Sequence, residues 1–110
     1  MELVATYRKH GWDLKAALLQ PATRAELTAK EPDLLGEVAM KESTFDALWF
    51  SRPSHNNRVA WELRLLAEMQ YALFETFEAD ETEEQREEMR LEMEARLRDY
   101  IQGNDAGLGH

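Results

Sequence analysis

The chain contains no cysteine. That absence removes disulfide frameworks, Cys-ligated zinc, iron–sulfur clusters and thiol nucleophiles together. It also fits a reducing compartment, and the expected address is the cytoplasm. Basic residues are scarce beside acids, 13 against 22, for a formal net charge of −9. Nucleic-acid binding is not expected of such a chain, because that affinity comes mostly from neutralising phosphates. Long apolar runs are missing too. Glu2, Arg8, Lys9, His10, Asp13 and Lys15 interrupt the N-terminal region. A signal peptide needs an apolar stretch of roughly 7–15 residues and a membrane helix about 20. Neither is expected here. No glycine-rich phosphate loop occurs, since Gly11 and Gly36 are isolated and Gly103, Gly107 and Gly109 lie at the C-terminus.

What remains is a chain of 110 residues with 44% apolar side chains, enough to close one modest core. Residues 2–10 place Leu3, Val4 and Tyr7 at helical spacing, with Gly11 as a stop. Residues 12–19 alternate: Trp12, Leu14, Ala16 and Leu18 against Asp13, Lys15, Ala17 and Leu19. They read as a strand, and Pro21 biases Gln20 to an extended conformation. The same residues also fit an extension of the first helix. Pro21 suits the first position of a helix over 22–29. The segment Leu34–Met40 reads as a loop packing Leu34, Leu35 and Val38 on the core.

The strongest strand signal lies further on. Residues 44–52 are aromatic-rich, and Pro53 to Asn57 are turn formers. Residues 58–66 then alternate, with Val59, Trp61, Leu63 and Leu65 on one face and Ala60, Glu62, Arg64 and Leu66 on the other. Residues 70–78 follow after a short link. These three runs predict an antiparallel meander. A helix over 81–101 carries Met89, Met93, Leu97 and Ile101 at i, i+4 spacing, with Asp80 and Glu83 as its capping box. The fold class is α+β: a small antiparallel sheet, the three-stranded meander plus an N-terminal strand, packed against a long C-terminal helix. Residues 1–102 form the single domain and 103–110 a flexible tail.

Candidate functional residues fall in three groups. The acidic helix is the first. Eleven acids and four arginines lie between Glu75 and Tyr100, and Glu84, Glu87, Glu88 and Glu94 fall off its apolar stripe, so they suit a docking surface for a basic partner protein. The second group is Arg52, His55 and Arg58, a mildly basic cluster around the hairpin loop, with Trp49 and Trp61 on the strands beside it. The third is Asp46, Glu62 and Arg64, whose order resembles the carboxylates and cation that hold Mg²⁺ in one class of nuclease. Arg cannot give up a proton as an activated Lys can, and an ion pair on a sheet surface explains the same residues. His10, His55 and His110 are too scattered for a metal site, and no cofactor is expected.

Trp49 and Phe50 point to opposite faces of their strand, as do Leu73 and Phe74. One long helix cannot cover both faces, so the second needs the N-terminal helix or another subunit, and a homodimer is expected. The leading expectation is a non-enzymatic protein–protein interaction module, of adaptor, inhibitor or chaperone type. A Mg²⁺-dependent phosphodiesterase and a small-molecule sensor with a pocket under the aromatic sheet are the alternatives.

Overall fold

The structure, a computed structural model, describes residues 1–34, 36, 38–68 and 70–108, with side chains as far as 103. The order is α1 (Glu2–Lys9), β1 (Asp13–Leu19), α2 (Pro21–Lys30), β2 (Ala39–Glu42), β3 (Ala47–Pro53), β4 (Val59–Leu65), β5 (Ala72–Phe77) and α3 (Glu83–Leu108). The fold is α+β, with one five-stranded sheet in the order β2-β1-β3-β4-β5. The meander β3-β4-β5 is antiparallel, and β1 joins it antiparallel to β3.

Helix α1 ends as its glycine demands. Gly11 takes φ 85°, a conformation that costs a side-chain-bearing residue but not glycine. Its N–H donates to the Arg8 carbonyl and the Trp12 N–H to the Tyr7 carbonyl, both at 3.0 Å. This is a Schellman closure, and its usual apolar contact is present as Tyr7 edge-on to Trp12 at 6.2 Å.

Three sequence expectations are corrected. The segment expected to be a loop contributes β2, paired parallel to β1 through Ala16↔Ala39 to Leu19↔Glu42. Strand β2 has only four residues, three of them exposed, so it carries too little apolar alternation to announce itself. Helix α2 makes the crossover that a parallel pair requires. Leu34 and Val38 do pack on the core; Leu35 lies outside the described residues. Second, the alternation of β1 breaks at Lys15: Leu14 pairs with Phe50 but Ala16 with Trp49. That bulge turns Ala17 and Leu19 onto the face of Trp12 and Leu14, and Ala16 and Leu18 onto the other. Third, the capping box of α3 is Thr82 and Gln85, not Asp80 and Glu83. The Gln85 N–H donates to Thr82 Oγ1 at 3.1 Å, and Gln85 Oε1 accepts the Thr82 N–H at 2.9 Å. The helical backbone runs on past Ile101 to Leu108, while His110 lies outside the described residues.

Helices from within the chain pack on both faces of the sheet. On one, α1 and α2 bring Val4, Tyr7 and Leu27 against Trp12, Leu48 and Phe50. On the other, Met93 and Leu97 of α3 pack on Trp49, Leu63 and Leu65. Tyr100 stacks on Tyr71 at 3.6 Å just before β5, and Arg86 donates to the Glu78 carbonyl just after it. Helix α3 therefore runs antiparallel to β5. Of the two covers expected for the second face, the N-terminal helix is the one present: Tyr7 of α1 stacks on Phe50 at 4.0 Å.

Candidate functional site

Asp46, Glu62 and Arg64 do not converge. Asp46 precedes β3 and is tied to the start of α2: its carboxylate accepts the Gln20 amide at 2.8 Å and the Thr23 hydroxyl at 2.7 Å. Glu62 pairs across the sheet with Phe50, four residues along β3 from Asp46, or roughly 13 Å at 3.3 Å per residue. Glu62 accepts instead from the Tyr7 hydroxyl. Burial of Tyr7, with the Glu62 carboxylate against it, pushes the phenol up to about 12, while Arg64 opposes the rise. Arg64 Nε is buried with no hydrogen-bond partner among the described residues. The ion pair expected on the sheet surface is likewise not formed; each carboxylate anchors a helix.

The tryptophans behave differently. Five strands lie under a single helix on the α3 face, and α3 lies over β4 and β5. The part of β1 and β2 beside it is left open as a cleft of about 280 Å³. Trp49 and Trp61 stand edge to face at 5.8 Å in its wall, with Ala16 and Leu18 of β1 as floor. Helix α3 supplies Glu87, Arg90 and Glu94, and Lys15 and Lys41 complete the rim. A second depression of about 260 Å³ adjoins it, sharing Leu18, Lys41 and Glu94 and reaching Leu91 and Arg98.

The charges of the cleft are largely paired. Glu94 accepts the Trp49 indole N–H and the Lys41 ammonium, both at 3.0 Å. It is half-buried, not the free surface acid that its position off the stripe predicts. The Arg90 guanidinium lies 4.7 Å over the Trp61 ring and bonds Glu83 and Glu87. Burial works against its charge, but the two carboxylates hold its pKa up. Glu84 and Glu88 are exposed and in no ion pair among the described residues. Lys15, Lys41 and Arg90 were not singled out from sequence. Arg90 alone had a signal, a basic residue three and seven positions after Glu87 and Glu83.

The basic hairpin cluster is mostly spent on structure. Arg52 lies 4.6 Å over Trp12 and donates to the His10 carbonyl at the end of α1. Arg58 pairs with Glu78 at 2.9 Å. His55 faces a shallow depression shared with His10, Arg52 and Phe74. Among the described residues no group of three or more His, Asp or Glu side chains is placed to hold a metal ion, and no helix is long and apolar enough to cross a membrane. Comparison with protein-family models, with curated proteins and with solved structures returns no match.

Proposed function

We propose that this chain is a non-enzymatic protein–protein interaction module that seats a segment of a basic partner protein in the cleft beside α3. One observation carries the reading: on the α3 side, the sheet over β1 and β2 carries no helix among the described residues and forms a cleft walled by Trp61, packed on the buried Trp49. Apolar walls supply the burial that anchors a partner side chain, and aromatic residues are the commonest anchors of that kind. Glu88, exposed and in no ion pair among the described residues, lies on the helix bordering the cleft and adds a negative charge that favours cationic segments. The titratable groups within the cleft are held in ion pairs or hydrogen bonds, Lys15 apart. Such a site suits recognition better than proton transfer, which requires a group left free to exchange its proton.

The test uses the wild type, Trp61→Ala and Glu88→Gln as baits in native lysate. A partner retained by the wild type is identified, purified and titrated against all three. A basic partner binding one to one per chain, lost with Trp61→Ala and slowed in association by Glu88→Gln, supports the reading. A partner bound equally by all three, or an acidic one, overturns it.

A further inference from the structure

The exposed side of α3, turned away from Met93 and Leu97, carries Glu84, Leu91 and Arg98, the last two at the edge of the depression beside the cleft. Their spacing of seven residues is close to two turns, so they form a nearly straight stripe. Leu91 is 47% exposed, a large apolar group on a helix surface otherwise covered by charge. Glu84 is in no ion pair among the described residues. Among the described residues Arg98 pairs only with its chain neighbour Asp99, at 3.8 Å and with both side chains more than half exposed, a pair of little worth.

A stripe that reads acid, apolar, base is complementary to its own reverse. We propose that the chain forms a homodimer in which two α3 helices pair antiparallel about a two-fold axis at Leu91. Leu91 then packs on Leu91 of the second copy, and each Glu84 meets the other copy's Arg98. A parallel pairing would set Glu84 on Glu84 and Arg98 on Arg98, so charge alone selects the antiparallel sense. Ala95, one turn beyond Leu91, is small and lets the helices approach. The register also brings Glu88 opposite Glu94, whose charge is already taken up by Lys41. Such an interface is isologous, as a closed dimer requires. It uses the exposed side of α3 and the edge of the depression beside the cleft, and Trp61 lines neither, so Trp61→Ala leaves it intact.

Light scattering over a concentration series tests this on the full chain. The wild type should approach twice 12.8 kDa. Glu84→Arg alone and Arg98→Glu alone should each be monomeric, because each sets like charges against one another twice, and their dissociation constants should rise at least about tenfold. An equimolar mixture of the two should regain the dimer mass, since both contacts become complementary again. Both positions are exposed, and far-ultraviolet circular dichroism confirms that each variant is folded. Leu91→Glu should be monomeric as well. A monomeric wild type at every concentration, a single variant that dimerises as the wild type does, or a mixture that stays monomeric would overturn the proposal.

Discussion

Asp46 holds Gln20 across the gap between β3 and α2, with Oδ1 accepting the Gln20 backbone amide at 2.8 Å and Oδ2 its side-chain amide at 3.1 Å. Gln20 immediately precedes Pro21, the first residue of α2, and makes no side-chain cap of its own. The carboxylate therefore bonds the N–H of the N-cap residue itself, the contact that the N3 side chain makes in a capping box, and holds the first turn through the Thr23 hydroxyl. It also sets a negative charge at a helix N-terminus, where the macrodipole favours it.

Asp46→Ala should lower stability by about 1–2 kcal/mol, since it removes a charged acceptor from the Gln20 amides and the Thr23 hydroxyl. Urea unfolding followed by circular dichroism measures it. A midpoint unchanged from the wild type would show that α2 is held by Leu27 and its neighbours alone.

Tyr7 and Glu62 make a second prediction, with a pH signature. The folded-state pKa of the phenol, about 12, lies above the ordinary 10.0. A raised pKa means that the neutral phenol is favoured by folding. Its contribution is whole below pH 10 and is lost as pH climbs toward 12. Tyr7→Phe removes the group that titrates and leaves Glu62 without its donor, at a cost of about 1–2 kcal/mol near neutral pH. The gap in thermal midpoint between wild type and Tyr7→Phe should therefore narrow in strongly alkaline buffer. A constant gap would refute the assignment.

The cap of α3 separates two residues two positions apart. Thr82 and Gln85 exchange hydrogen bonds at 3.1 and 2.9 Å, so Thr82→Ala should cost about 1 kcal/mol. Asp80→Ala should fall within about 0.5 kcal/mol of wild type, as surface changes usually do. The reverse order in a denaturation series would restore Asp80 as the cap.

Where residues spoke through local physics, the fold was legible. Gly11 closes α1, Pro21 opens α2, and the alternation of Val59 to Leu65 with the aromatic runs beside it yields the meander. What failed depended on distant partners. Strand β2 exists because β1 offers it an edge, and nothing in Ala39-Met40-Lys41-Glu42 declares that. The bulge at Lys15 is equally silent, because one extra residue leaves composition unchanged. Trp49 and Trp61 were visible as candidates, but the cleft they wall depends on where α3 stops covering the sheet. Asp46 and Glu62 looked alike in sequence as acids beside strands. Their different partners, Gln20 and Tyr7, came from tertiary packing.

Glu94 ties the proposed binding cleft to the core. Trp49 is only 2% exposed, and its indole N–H has the Glu94 carboxylate as acceptor at 3.0 Å. Glu94→Gln keeps an oxygen for that N–H and gives up only the pairing with Lys41, a half-exposed cation. The cost should be below about 1 kcal/mol, as for other solvent-screened pairs. Glu94→Leu removes the acceptor and leaves a buried donor unsatisfied, a cost of about 1–3 kcal/mol. Tryptophan emission should shift with Glu94→Leu and stay near the wild-type value with Glu94→Gln, because only the former strips the indole of its partner. Equal losses in the two variants would mean that the Lys41 pairing, not the indole hydrogen bond, is what Glu94 contributes.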